Sequence, residues 1–159
     1  MFKFSKVSLK KNEESHYSSK VANILLYCDD DETVFLIKRS DNVSHPGQWC
    51  APGGHLESNE SFAEAAIREA HEEVGRLPKI QKKLDKNIII DDGKKIVTYV
   101  CLVPLKDKEK WTPVLNDESE ECKWFHIDEI PEKTFDTIKN IIFALPSLIR
   151  KAKYAAYLT

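Results

Sequence analysis

Residues 54–75 read GHLESNESFAEAAIREAHEEVG and predict a loop followed by a short helix. Ser61 and Glu64 form the S-x-x-E pattern of a capping box, in which each side chain satisfies a free backbone N–H at the start of a helix. Gly75 marks the end, because glycine adopts the left-handed conformation that closes a helix without steric cost. The two signals together delimit a helix of about three turns.

The predicted helix has an apolar stripe that would face the core. Its members recur at helical spacing: Phe62, Ala63, Ala66, Ile67, Ala70 and Val74. A stripe of this kind is what a helix needs in order to pack on a sheet or on another helix.

The polar side of the same helix is unusually acidic. Glu69, Glu72 and Glu73 fall within an arc of roughly 100°, and like charges at this spacing repel each other. Oxygen ligands crowded on one face suit a hard divalent cation such as Mg²⁺ or Mn²⁺. Arg68 lies within reach of Glu64 and Glu72, where it could orient a carboxylate. The alternative is a solvated acidic face with incidental arginine pairing.

The loop before the helix favours the metal interpretation. Pro52, Gly53 and Gly54 form a turn whose glycines allow unusual dihedral angles and close approach of a ligand to the backbone. Placed just before an acidic helix, this turn could offer a backbone carbonyl to the same cation.

The pattern of charged residues and glycines from Gly54 onward resembles the Nudix box of the Nudix hydrolases. Every charged and glycine position of that box is filled, by Gly54, Glu60, Arg68, Glu69, Glu72, Glu73 and Gly75. Two apolar positions depart from it: Ala70 is smaller than usual, and Arg76 stands where the family prefers an aliphatic residue. The resemblance extends more loosely over residues 21–130.

The resemblance implies an α/β (α+β mixed) fold, specifically an α/β/α sandwich with a mixed sheet between helices. It also implies a Mg²⁺ site, with Mn²⁺ as a substitute, formed by the Gly53 carbonyl and by Glu69, Glu72 and Glu73. Glu60 and Arg68 would orient these carboxylates.

The implied activity is metal-dependent hydrolysis of a pyrophosphate bond in a nucleoside diphosphate linked to another moiety, which releases a nucleoside monophosphate. The box residues Arg68, Glu69, Glu72 and Glu73 would carry the chemistry. In the family a glutamate outside the box often joins the metal site or acts as the base. By spacing before Trp124, Glu118 is the first candidate and Glu121 the second, against the alternatives of a box glutamate as base or of two ordinary loop acids.

Two other classes of function remain open. A domain that senses a nucleotide without cleaving it would be expected to lose box carboxylates, and none is lost. An RNA 5′-end pyrophosphohydrolase would be favoured by a strongly basic surface, whereas the net charge is −2. No substrate signature of a subfamily identifies the substrate. Asp91 stands where many ADP-ribose hydrolases carry proline. No tyrosine falls in the window that is typical of diadenosine polyphosphate hydrolases, since Tyr99 comes later.

Length and composition predict one domain over residues 1–159. No apolar run is long enough to span a membrane. The four cysteines are scattered without a C-x-x-C pair, which favours free thiols in a reducing cytoplasm. Residues 1–20 are expected to form an edge strand or a partly ordered tail. Oligomeric state is left undecided, with a homodimer open.

The remaining elements follow from periodicity and turn signals. Residues 21–27 and 33–39 predict a hairpin with an acidic turn, residues 95–105 and 122–127 predict strands, and residues 106–110 and 116–121 are expected to be loops. Residues 134–144 predict a helix, and Pro146 is expected to begin another one that runs to Leu158. Lys79, Lys82, Lys83 and Lys86 form a basic stretch, interpreted as a solvated face with a substrate phosphate contact as the alternative.

Overall fold

The computed structural model describes residues 20–81 and 83–159, so the expectation for residues 1–19 lies outside the described part. Seven strands lie in the described ranges: β1 Val21–Cys28, β2 Thr33–Arg39, β3 Trp49–Cys50, β4 Gly53–His55, β5 Ile88–Asp91, β6 Ile96–Leu102 and β7 Ser119–His126. The helices are α1 Phe62–Val74, α2 Leu105–Lys110 and α3 Asp136–Leu158, with one 3₁₀ turn at Leu84–Lys86.

The strands form one mixed sheet with β1 near its centre. The main order is β3-β2-β1-β6-β5, while β4 also pairs with β1 and β7 also pairs with β2. Strands β1 and β6 run parallel, and the other pairs are antiparallel. The predicted hairpin over residues 21–39 is confirmed, with its acidic residues in the turn.

Helices cover both faces of the sheet, and the predicted three-layer arrangement is confirmed. Successive side chains of a strand point to opposite faces. Ile24 and Leu26 of β1 therefore pack in the core cluster that includes α1, whereas Leu25 and Tyr27 pack in the cluster that includes α3. The favoured interpretation of Trp49 as a packing residue is confirmed, because it lies buried in the second cluster.

Strand β7 begins earlier than the sequence predicts. The expected loop at residues 116–121 is wrong for Ser119, Glu120 and Glu121, which belong to β7; Ser119 and Glu121 pair with β2. The pattern of polar residues concealed this, because the strand has exposed positions at Glu120 and Glu121 before its more buried part. The difference separates the two candidate bases, since Glu118 precedes the strand and Glu121 lies within it.

Residues 106–110 form most of α2, where a loop was expected. Lysine and glutamate are good helix formers, but six residues do not hold a helix by propensity alone. Tertiary contacts of Lys108 supply the rest: its ammonium pairs with Asp31 and lies 4.9 Å from the ring centroid of Trp124.

The C-terminal segment is one helix, and the expectation of two helices separated at Pro146 is wrong. Helix α3 continues through the proline. Proline removes a backbone donor and disfavours a helix interior by about 3 kcal/mol. Buried apolar residues on both sides of it, among them Ile142, Leu145 and Ile149, hold the two halves against the same face of the sheet.

No helix within the two described ranges is both long enough and apolar enough to cross a membrane. All four cysteines are free thiols, and Cys28, Cys50 and Cys101 are buried. Burial raises the pKa of the Cys50 and Cys101 thiols to about 12.

Candidate active site

The start and the end of α1 follow the sequence prediction. The Ser61 hydroxyl accepts the backbone N–H of Glu64 at 3.1 Å, and the Glu64 carboxylate accepts the N–H of Ser61 at 2.8 Å. At the other end Gly75 has a φ of +74° and donates its N–H to the carbonyl of His71 at 3.0 Å. The helix therefore begins and ends where the local sequence signals predict.

The acidic face of α1 turns partly into the protein. Ala65, which lies in the same arc as the glutamates, is fully buried, and Glu73 is only 5% exposed. Glu72 points outward, with 54% of its side chain exposed. Glu73 is therefore removed from water, whereas Glu72 remains on the solvated side of the helix.

Arg68 holds the carboxylates around it in a fixed arrangement. Its guanidinium donates two hydrogen bonds to Glu60, at 2.8 and 2.9 Å, one to Glu69 at 2.8 Å and one to the carbonyl of His55 at 3.0 Å. The planar fork of arginine is suited to such a bidentate carboxylate contact. The expected contact to Glu72 is longer, at 3.4 Å, and Glu64 is used instead in the helix cap.

Glu60 is the main partner of Arg68, as the resemblance implied for an orienting pair. The hydrogen bonds from Arg68 lower the pKa of Glu60 to about 2. Glu60 is therefore ionised across the neutral range and keeps Arg68 in place. The two residues connect the loop before α1 to the middle of the helix.

Glu69 lies directly over Gly54. A Cβ atom added at position 54 would be 2.5 Å from Cδ of Glu69, closer than real Cβ contacts allow. Only glycine leaves space for the carboxylate at this point. Burial raises the pKa of Glu69, and the charges of Glu72 and Glu118 act in the same direction, while the bond from Arg68 opposes them.

Glu73 lies beside the same loop and is the most buried of the three glutamates. Its carboxylate accepts the backbone N–H of Gly53 at 3.0 Å. Burial, together with the charges of Glu69 and Glu118, raises the pKa of Glu73 to about 8, against the lowering effect of the Gly53 hydrogen bond. A carboxyl group in this environment is poised to accept a cation or a proton.

The two candidate bases outside the box lie in different surroundings. The charge of Glu118 acts on both Glu69 and Glu73, and its carbonyl accepts the N–H of Ser40 at 2.9 Å. Glu121 instead faces Lys38, which is 4.0 Å away. Glu118 thus influences the glutamates of α1 through its charge, whereas Glu121 has a partner on β2.

Arg39 is a residue near the site that the sequence analysis did not single out. It ends β2 next to a register shift, and its charge lowers the pKa of Glu73. Its guanidinium donates to the hydroxyl of Ser44 at 3.1 Å and lies 5.6 Å from the ring centroid of Phe135. The signal was an arginine at the end of an apolar strand, which is too common to be recognised without the fold.

The donor set fits a hard divalent cation. It consists of the carboxylates of Glu69, Glu72 and Glu73 and the carbonyl of Gly53. The carboxylates of Glu69 and Glu73 are partly or largely removed from water, which is costly unless a positive charge compensates. Within residues 20–81 and 83–159 no three His, Cys, Asp or Glu side chains already form a cluster that could hold a metal ion. Glu69 and Glu73 instead accept hydrogen bonds from Arg68 and Gly53 through one carboxylate oxygen each, which leaves the second oxygen of each for a cation.

Comparison with known proteins identifies the class that this fold and site define. The family profile described as NUDIX domain matches residues 18–145. The match includes the whole sheet, α1 and Glu118. The chain therefore belongs to the NUDIX domain family, and the class is that of the Nudix hydrolases.

Two curated proteins give the range of names among its relatives. A protein named ADP-ribose pyrophosphatase, from Methanocaldococcus jannaschii, is 29% identical over 115 residues, which cover 71% of this chain and 66% of that protein. The human protein named diphosphoinositol polyphosphate phosphohydrolase 2 is 26% identical over 130 residues, which cover 81% of this chain and 69% of that protein. The matched regions thus span about two thirds of these relatives.

A solved structure supports the fold. The crystal structure of an Ap4A hydrolase binary complex from C. elegans matches with a TM-score of 0.62 and 18% identity, covering 83% of this chain and 99% of that one. At this identity the similarity establishes the arrangement of strands and helices, including the three layers described above.

Proposed function

We propose that this protein is a Mg²⁺-dependent hydrolase that cleaves the pyrophosphate bond of a nucleoside diphosphate linked to another moiety, releasing a nucleoside monophosphate. The observation that carries the proposal is the packing of Glu69 and Glu73 against the Gly53–Gly54 turn, with Glu118 acting electrostatically on both. The name of the archaeal relative describes an activity of this kind for that protein.

In the proposed site Glu69, Glu72, Glu73 and the Gly53 carbonyl would hold the cation. When bound, the cation would neutralise phosphate charge and lower the pKa of a water molecule. The residues differ in what they can contribute, since Glu69 and Glu73 are removed from water and Glu72 is exposed. Mn²⁺, which also accepts oxygen ligands, is the expected substitute.

The remaining residues would orient the carboxylates and take a proton from the attacking water. Arg68 holds Glu69 through one bond while Glu60 anchors the guanidinium, so the side chain of Glu69 is positioned before any substrate arrives. Glu118 is the proposed general base. It is exposed to water, and its charge raises the pKa of Glu69 and of Glu73, as expected for a carboxylate beside the site.

The proposal further assigns the enzyme to the cytoplasm. Four free thiols, three of them buried without a partner cysteine, support a reducing compartment.

The test is product analysis by chromatography after incubation with Mg²⁺ and a panel of compounds. The panel contains ADP-ribose, nucleotide sugars, dinucleotides, coenzyme A, nucleoside triphosphates and a diphosphoinositol polyphosphate. The Glu73→Gln variant serves as the control, because glutamine keeps an acceptor for the N–H of Gly53 and loses the charge. We expect its turnover to fall by about 100-fold or more.

A nucleoside monophosphate produced by wild type and not by Glu73→Gln supports the proposal and names the substrate group. Turnover of Glu73→Gln within about threefold of wild type would contradict it. Activity restricted to a capped or triphosphorylated oligonucleotide would assign the protein to RNA 5′ ends, and Mg²⁺ binding without any turnover would assign it to the nucleotide-sensing domains.

A further inference from the structure

A cavity of about 850 Å³ lies on the far side of α1 from the glutamates. Residues two positions apart on a helix point about 200° apart, so Ile67 and His71, which line this cavity, face away from Glu69 and Glu73. The size is within the range of pockets that bind small molecules and cofactors. The cavity is therefore separate from the candidate metal site.

The floor of the cavity is apolar and partly aromatic. Leu77, Ile80 and Leu84 line it together with Ile67 and the indole of Trp111. Trp111 is held in place, because its indole N–H donates to the carbonyl of Arg76 at 2.6 Å and its ring packs edge-on against Phe35 with centroids 4.7 Å apart. A rigid floor of this kind suits a flat apolar ring.

The rim of the cavity is cationic. Arg76, Lys79 and Lys110 line it and are exposed, and none of the three forms an ion pair with a carboxylate of residues 20–81 or 83–159. Three cations converging on one opening are available for a phosphate group.

One wall holds a polar group that the described residues leave unsatisfied. Oδ2 of Asp107 is buried and makes no hydrogen bond within the described part of the chain. A buried acceptor without a donor is unfavourable. Because Asp107 lines the cavity, a rotation of its side chain toward the opening would let the carboxylate accept an N–H group from a ligand. A ligand that fits this cavity therefore needs a hydrogen-bond donor for Asp107 and a negatively charged group for the cations at the rim.

We propose that this cavity is a nucleotide-binding site, with the base on the apolar floor, a base N–H donated to Asp107, and the phosphate at the cationic rim. Inorganic phosphate would leave the floor and Asp107 unused. A simple aromatic acid would supply no donor for Asp107. A nucleotide carries the ring, the donor and the anion in one molecule, and its binding in this cavity does not require the hydrolytic activity.

The experiment uses the whole protein, isotopically labelled, in EDTA so that no divalent cation is present, and AMP as the probe. We expect saturable NMR shifts of the methyl groups of Ile67 and Ile80 and of the indole N–H of Trp111, with the amides of Gly53 and Gly54 unchanged. Ribose 5-phosphate and adenosine should each bind at least about tenfold more weakly than AMP, since each lacks one half of the recognition.

Two variants of α2 provide the matched comparison. Lys110→Glu should weaken AMP binding by about tenfold or more, because it reverses a charge at the rim. Lys106→Glu makes the same change on the same helix at an exposed position that does not line the cavity, and should change the affinity by less than about twofold. Asp107→Ala should reduce the preference for AMP over ribose 5-phosphate. Backbone spectra of each variant verify that it folds.

The proposal is overturned if the AMP shifts centre on Gly53 and Gly54, if Lys110→Glu and Lys106→Glu weaken binding equally, or if inorganic phosphate binds as tightly as AMP. Because the binding is measured without a divalent cation, a failure of this proposal is distinct from a failure of the proposed hydrolysis.

Discussion

The carboxylate of Glu73, which is 5% exposed, accepts the backbone N–H of Gly53 at 3.0 Å. This bond ties the last turn of α1 to strand β4, which itself pairs with β1 at the centre of the sheet. The candidate metal ligands from the loop and from the helix are thus fixed to the same rigid strand, which gives the site its shape before a cation binds.

Burial of Glu73 leads to a prediction on pH and stability. Its pKa is raised from the ordinary value for a glutamate to about 8 in the folded protein, so the native state binds this proton more tightly than the unfolded chain does. Stability of the metal-free protein should therefore fall as the pH rises from about 4.5 to about 8. In Glu73→Gln this contribution is absent. In thermal unfolding in EDTA, the Tm of the variant relative to that of wild type should therefore rise over this pH range. Parallel curves for the two proteins would contradict the prediction.

Glu118 and Glu121 are expected to differ in their effect on catalysis. Glu118→Gln should lower kcat by about tenfold or more, because the charge of Glu118 acts on both Glu69 and Glu73. Glu121→Gln is the matched control on the same segment and should stay within about twofold, since Glu121 faces Lys38. Steady-state kinetics on the substrate found in the panel measures both. A larger loss in Glu121→Gln would assign the base to the strand instead.

Substitution of the neighbouring glycines should separate stability from activity. Gly53→Ala would place a Cβ 2.3 Å from the carbonyl oxygen of Ala22, so the sheet itself must move and the Tm should fall. Gly54→Ala would meet the side chain of Glu69 instead, which can turn away at the expense of its position in the site. We expect a smaller change in Tm and a large loss of kcat. The reverse pattern, measured by calorimetry and kinetics, would show that Glu69 is not required.

Arg68→Lys should impair activity despite the conserved charge. Lysine cannot make the bidentate contact to Glu60 while also reaching Glu69 and the carbonyl of His55. We expect kcat to fall by about tenfold or more, with a weaker apparent affinity for Mg²⁺. Arg150→Lys on the exposed side of α3 is the control and should leave the kinetics unchanged. Equal activity of the two variants would show that charge alone suffices at position 68.

Pro146→Ala should stabilise the protein by about 1–3 kcal/mol, because it restores a backbone donor inside α3. Ser147→Ala, at the next exposed position, changes only helix propensity and should raise the free energy of unfolding by about 0.5 kcal/mol. Urea denaturation of the two variants measures the difference. A lower free energy of unfolding for Pro146→Ala would show that the restriction proline places on the unfolded chain outweighs the missing hydrogen bond.

Local signals account for the parts of the fold that were predicted well. The capping box of Ser61 and Glu64 and the stop at Gly75 act within α1 itself, and alternating apolar residues define β1 and β2. The errors at α2 and α3 have a common cause. Lys108 and Pro146 take conformations that their own sequence disfavours or leaves undecided, because contacts with Asp31 and with the buried face of the sheet outweigh local preference.

The sequence by itself determined the family resemblance, the helix with its three clustered glutamates, and the glycines beside it. All of these depend only on the spacing of residues along one short stretch of chain. The tertiary structure alone decided which carboxylates are removed from water, that the charges of Glu118 and Arg39 act on them, and that a cavity lies behind α1. Burial and electrostatic proximity depend on segments far apart in the chain, and no local pattern encodes the distance between them.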